Sequence, residues 1–184
     1  EIEGVIQQCW DRLREIQSTM NARSTVGDVA RINASGLYGV SLSNDVFGLI
    51  KDAKAYWRIT NGTFDITVLP AIEFWKQKQI ENKFPMQKEI ERLKKYVGYK
   101  KINFIDDNTI QLKRKMKIDL GGIAKGYATK RIADILYKYN IEKFLINIGG
   151  DVYTAGYNEK DEEWQVGIQD PLDEDNIIDV VGVK

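Results

Sequence analysis

Histidine is missing from this 184-residue chain altogether, and cysteine occurs once, as Cys9. A Ser-His-Asp triad, a Cys-His pair and a His-ligated zinc site are therefore excluded within the chain. The single thiol likewise excludes an internal disulfide framework and a multi-cysteine metal centre. A metal held by these residues alone must be bound through oxygen, which favours magnesium or calcium. Charge is balanced, with 27 Lys+Arg against 27 Asp+Glu. Without a net positive field, no nucleic-acid partner is expected. No apolar run reaches the roughly 18 residues of a bilayer-spanning helix, so no transmembrane segment is expected. The first residues carry no signal-peptide pattern, and no apolar stretch marks Cys9 for lipidation.

What is present is enough to build a core: 43% hydrophobic and 10% aromatic residues, read as one domain. Ile2, Val5, Ile6, Cys9, Leu13 and Ile16 recur at helical spacing, which predicts a helix over 2–19. Residues 20–33 read as a loop with a short helical turn. Ser43 is a good N-cap for a second helix whose buried stripe is Val46, Phe47, Ile50, Ala53 and Trp57, stopped by Asn61-Gly62. Phe64–Leu69 alternates like a short strand ended by Pro70, and Pro85 opens a third helix closed at Gly98. A hairpin is expected around Asp106-Asp107-Asn108, a strand over 116–120, and a fourth helix after Gly121-Gly122. Segments 144–148 and 152–155 flank Gly149-Gly150 as a further hairpin, and strands follow near 164–168 and 177–183. Helices beside hairpins make the class α+β or mixed α/β.

Three segments are candidates for chemistry. In Lys117-Ile-Asp119-Leu-Gly121-Gly122-Ile-Ala-Lys125, an acid ends a strand, two glycines follow, and a lysine sits in the first turn of a helix. Glycines admit an anionic ligand to the backbone, and a helix N-terminus presents unpaired N–H groups. The spacing matches neither a Walker loop nor the dinucleotide fingerprint. It reads as a phosphate-binding turn or, more plainly, as a tight strand-to-helix turn with a solvated lysine. In Asn61-Gly62-Thr63-Phe64-Asp65, a helix end feeds an extended stretch that offers backbone groups and a carboxylate to a planar ligand. The plainer alternative, a capped helix end with Phe64 in the core, is favoured. Ile146-Asn147-Ile148-Gly149-Gly150-Asp151 reads first as a hairpin turn, and the tryptophans (10, 57, 75, 164) as core or pocket walls.

Taken in order, DVARIN (28–33), NGTFDITVLPAIEFW (61–75), VGYKKINF (97–104), KIDLGGIAKGYA (117–128), INIGGDVYTAG (146–156) and WQVGIQDP (164–171) resemble the ApbE-type flavin transferase family across nearly the whole chain. The resemblance implies an α+β fold of mixed sheets with packed helices, related to the T-fold. It implies an FAD:protein FMN transferase that uses Mg2+, passes FMN from FAD to a Thr or Ser hydroxyl of an acceptor flavoprotein, and releases AMP. FAD binding alone, or hydrolysis of FAD to FMN and AMP, is the alternative, with a non-catalytic fragment as the third. By position, Thr63, Phe64 and Asp65 match the flavin-contacting turn. Asp119 matches an acid on FAD, Lys125 a lysine near it, and the Gly122 carbonyl a magnesium ligand. Asp119 and Lys125 are thereby the expected catalytic pair. The resemblance places the full protein outside the cytoplasm, lipid-anchored at the membrane.

The family's first strand, with its Met-Gly-Thr signature, and its C-terminal third are not in these residues. That third carries the family's His and the Asp and Thr that complete its magnesium site. Residues 1–184 thus read as a partial ApbE-like domain, expected to bind FAD weakly, to expose apolar surface and to self-associate.

Overall fold

The computed structural model describes residues 2–173 and 175–184. Their contacts fall into two compact units: Arg14–Ala124, and Lys125–Lys184 with the residues through Leu13.

The larger unit is built on the apolar stripes that the sequence shows. The C-terminal half of α1 (Ile2–Met20) buries Ile16 and Met20. The predicted short turn is a full helix, α2 (Asp28–Ser35), which buries Val29 and Ile32. In α3 (Asn44–Ile59), Ser43 caps the helix as expected, its Oγ accepting from Val46 N–H at 3.5 Å. Val46, Ile50 and Ala53 of α3 are wholly buried. Two-residue β1 (Val40–Ser41) and β2 (Asn103–Phe104) flank β3 (Thr109–Gln111) in an antiparallel sheet, with Ile110 paired to Val40 on one side and to Phe104 on the other. The predicted hairpin around Asp106 is thus present, with shorter strands.

Two segments depart from the expected strands. Ile66–Val68 is a 3-10 turn that runs into α4 (Leu69–Ile80). Pro70 therefore opens a helix rather than ending a strand, because its missing N–H costs nothing in a first helical turn. Residues 116–120 keep a strand's alternation, with Met116, Ile118 and Leu120 buried and Lys117 and Asp119 half-exposed, but they join no ladder. Ile118 and the Asp119 N–H bond instead to a side chain and a turn, as described below. The third predicted helix is α5 (Gln87–Lys94); Pro85 precedes it, and Glu89 reaches back to Met86 N–H at 2.8 Å.

The smaller unit holds most of α6 (Gly121–Lys138) and two hairpins, β4 (Phe144–Ile148) with β5 (Asp151–Ala155), and β6 (Trp164–Gln169) with β7 (Ile177–Val183). Gly149 and Gly150 take φ of 57° and 91°, the left-handed pair that a two-residue hairpin turn requires. Ala133, Phe144 and Ala155 form its core, with Leu136, Ile141 and Ile146 against them. The second hairpin is apolar yet open: Ile168, Ile177, Ile178, Val180 and Val181 are exposed, in line with the expected apolar surface. Trp10 and Trp75 are also more than half exposed, so they are not core residues; Trp57 and Trp164 are half-buried. No helix among the described residues is long and apolar enough to cross a membrane. Helices and separate antiparallel ladders place the fold in the α+β class.

Candidate functional site

Within the larger unit, the head of α6 is shaped by its own sequence. The Asp119 carboxylate accepts from Gly121 N–H at 2.8 Å, and the Leu120 carbonyl accepts from Ile123 and Ala124 N–H. Gly121 and Gly122 are exposed. A Cβ on Gly121 would lie 3.0 Å from Asp119 Oδ1, and one on Gly122 would lie 3.0 Å from Phe64 Cε2. A side chain at either position would therefore press on its neighbour, with φ playing no part. The stretch 63–65 and the stretch 119–122, separated by more than fifty residues of chain, meet at Phe64 and Gly122.

Phe64 is not a core residue: it is half-buried, its ring edge-on to Tyr56 at 5.9 Å, and its N–H donates to Thr60 Oγ1 at 3.0 Å. Thr63 is exposed beside it. Asp65 directs its carboxylate into the protein. Oδ1 accepts from Thr67 N–H at 2.8 Å and from the Thr67 hydroxyl at 2.6 Å, and Oδ2 accepts from Tyr99 N–H at 2.7 Å. Thr67 Oγ1 in turn accepts from Gly98 N–H at 2.7 Å. A carboxylate has about four lone-pair sites, so three are spent on holding the turn. Tyr99 is buried, and its hydroxyl donates to the Ile50 carbonyl at 2.8 Å. Burial, with the nearby charges of Asp52 and Asp65, pushes its phenol up to about 12.

The DVARIN segment carries further polar ties of this unit, not foreseen from sequence. Asp28 is buried; its Oδ2 accepts from Ser43 N–H at 2.7 Å and its Oδ1 from Arg31 Nη2 at 2.6 Å. Burial would raise the Asp28 carboxyl, but these bonds outweigh it and hold the group below its ordinary value. Asn33 clamps Ile118: its Oδ1 accepts from Ile118 N–H at 2.7 Å and its Nδ2 donates to the Ile118 carbonyl at 2.9 Å.

Within the smaller unit, Lys125 Nζ lies 3.1 Å from Asp151 Oδ1 and donates to the Gly149 carbonyl at 3.3 Å. The structure thus joins Lys125 to the Gly-Gly hairpin that sequence read as a plain turn. Lys125 is the fifth residue of α6, so it lies in the second turn and not the first. A groove of about 510 Å3 opens beside it between α6 and β5, with Gly126, Thr129 and Ala133 on the helix side and Asp151 and Tyr153 on the strand side.

At the head of α6 the Asp119 carboxylate is in place, bonded to Gly121 N–H. Among the described residues, no group of three carboxylate or thiol side chains converges on a point. This donor set does not make an octahedral Mg2+ site from the chain's own residues.

The ApbE family model matches residues 1–184. A protein of Klebsiella pneumoniae named FAD:protein FMN transferase is 30% identical over 164 residues, 88% of this chain and 49% of its own length. One of Haemophilus influenzae with the same name is 25% identical over 169 residues, 86% of this chain and 48% of its own. The crystal structure of the ApbE protein from Thermotoga maritima superposes with a TM-score of 0.86 at 31% identity, covering 99% of this chain and 60% of that one. The flavin transferase ApbE from Vibrio cholerae shares the fold, with a TM-score of 0.82 at 22% identity, over 99% of this chain and 60% of its own. The chain thus spans about half the length of the curated relatives it matches. With its whole length matched, and with the glycine-paired helix head and the Phe64 turn in contact, the chain belongs to the ApbE family.

Proposed function

We propose that this chain is part of an FAD:protein FMN transferase, and that its 184 residues form one partial ApbE-like domain. FAD lies with its diphosphate against the exposed backbone of Gly121 and Gly122. The observation that carries this reading is the head of α6, where the exposed backbone of two glycines stands close to Asp119 and Phe64, so that a Cβ on either would press on those side chains at 3.0 Å. Thr63 and Phe64 are the flavin-side contacts, since both are accessible at that point. Asp65 contributes by holding the turn, with one acceptor position left for the ligand. Asp119 and Lys125 are taken as the catalytic charged residues from their match to the family's motif. Lys125, already paired with a carboxylate oxygen, exchanges Asp151 for a phosphate oxygen of the substrate.

In the transfer, a Thr or Ser hydroxyl oxygen of the acceptor flavoprotein attacks the FMN-side phosphorus. The bridging P–O bond breaks, AMP leaves, and the hydroxyl proton is released. Lys125 lowers the cost of charge building on the phosphoryl oxygens. Magnesium dependence, and an extracytoplasmic, lipid-anchored setting, are proposed on family membership alone. Toward the metal this chain offers the Gly122 carbonyl, which falls short of a site by itself.

The test mixes the chain with FAD, Mg2+ and a Thr-containing acceptor peptide and reads the peptide by mass spectrometry. A gain of one FMN supports transfer. FMN and AMP with an unmodified peptide replace it with hydrolysis. A chain that does not bind FAD at all, seen as no quenching of flavin fluorescence, refutes the placement of the diphosphate.

A further inference from the structure

Residues 116–120 alternate between buried and half-exposed as a strand does, yet no strand among the described residues pairs with them. An unpaired extended segment is costly when its neighbours are buried, because each backbone N–H and C=O needs a partner. Here the partners are of two kinds. Asn33 turns one side-chain amide onto Ile118, accepting from its N–H at 2.7 Å and donating to its C=O at 2.9 Å. This is the donor-and-acceptor pair that a neighbouring strand would offer. One residue on, Asp119 N–H donates to the Ile66 carbonyl at 2.7 Å, in the turn capped by Asp65. Ile118 is wholly buried beneath this amide. The Asp119 carboxylate that emerges from this clamp accepts from Gly121 N–H at the start of α6.

We propose that Asn33 is the positioning residue for Asp119: its amide stands in for a missing strand and fixes where the Asp119 carboxylate meets the head of α6. The part of this concerned with FAD rests on the reading of Asp119 as a ligand-binding acid; the part concerned with geometry does not. A primary amide is the one neutral side-chain group that gives a donor and an acceptor side by side. Alanine at 33 removes both bonds. Aspartate keeps the acceptor for Ile118 N–H but sets a carboxylate oxygen against the Ile118 carbonyl.

The test uses the full 184-residue chain and two readouts. Amide hydrogen exchange by NMR, in Asn33→Ala, is expected to rise by about tenfold or more at Asp119 and Gly121, while Ile50 and Ala53 of α3 keep their rates. A uniform rise, or no rise at Asp119 and Gly121, overturns the inference, since a merely structural role loosens the unit as a whole. FAD affinity, by flavin fluorescence, is expected to fall roughly tenfold in Asn33→Ala and to fall little further when the same change is made in an Asp119→Ala background. Equal losses in both backgrounds also overturn it. Should Asn33→Ala not fold, Asn33→Asp is read in the same two ways, with the rise again confined to Asp119 and Gly121. If the parent chain binds no FAD while the exchange rise at those two amides is present, the FAD reading fails and the positioning stands.

Discussion

Removing the Asp65 carboxylate tests whether that residue is mainly a strut of the fold. Asp65→Ala deprives Thr67 N–H, the Thr67 hydroxyl and Tyr99 N–H of their acceptor, at present distances of 2.8, 2.6 and 2.7 Å. Thr67 is wholly buried and Tyr99 nearly so, and solvent can repair little of this. A hydrogen bond to a charged group contributes about 1.5–3 kcal/mol, and three that share one carboxylate act as a unit and do not add fully. The expected loss is about 3–5 kcal/mol, a large share of the roughly 5–15 kcal/mol that holds a domain folded. Urea unfolding read by tryptophan fluorescence suits the measurement, because Trp57 stacks on Tyr99 with centroids 6.3 Å apart. At an m-value of about 2 kcal/mol/M, the midpoint should drop by about 1.5–2.5 M with m unchanged. Asp65→Asn should lose about half as much, since its amide can accept on one side only and turns donors toward the other. A drop of less than about 0.5 M in Asp65→Ala, in a chain that still folds but no longer binds FAD, would refute the reasoning and make Asp65 a direct ligand contact.

Three further outcomes follow from the same geometry. Tyr99 is held neutral, so its share of stability is complete below the ordinary tyrosine value near 10 and is lost as pH rises toward 12, about 2–3 kcal/mol in all; Tyr99→Phe should flatten that alkaline decline in urea titrations run at successive pH values. Gly48 lies in α3 with open space where a Cβ would sit, so Gly48→Ala should raise stability by about 0.5–1 kcal/mol, read as a higher melting temperature. Lys125 and Asp151 are 44% and 56% exposed, which keeps their pair under about 1 kcal/mol; Lys125→Ala should leave the melting temperature within about 2 °C and weaken FAD binding, and unfolding with FAD affinity retained in the folded fraction would contradict its role.

The helices were legible in the sequence wherever a local rule wrote them. The stripe Val46-Ile50-Ala53, the Ser43 cap and the Gly149-Gly150 turn each depend on residues within a few positions of one another. The two misread strands failed for the same reason in reverse. Phe64–Leu69 alternates, but Asp65 caps a 3-10 turn and Pro70 favours a helix start, and both outweigh a period of two over six residues. Residues 116–120 do alternate in burial, so the pattern was true; the missing information was that their partner is an amide 85 residues away.

The candidate site divides along the same line. Glycines at 121 and 122, an acid before them and a helix after them are local features, and the strand-to-helix turn they form is legible from sequence. What the tertiary structure decided is how each residue is used. Asp65 is turned inward by a backbone N–H 34 residues distant, Phe64 is drawn out to the edge of Gly122, and Lys125 is bound to a hairpin 24 residues further along. Hydrophobic spacing, caps and turns are settled by neighbours in sequence. Which donor a carboxylate or an amide finds is settled only when the chain has brought distant segments within roughly 3.5 Å, because hydrogen bonds weaken steeply beyond that.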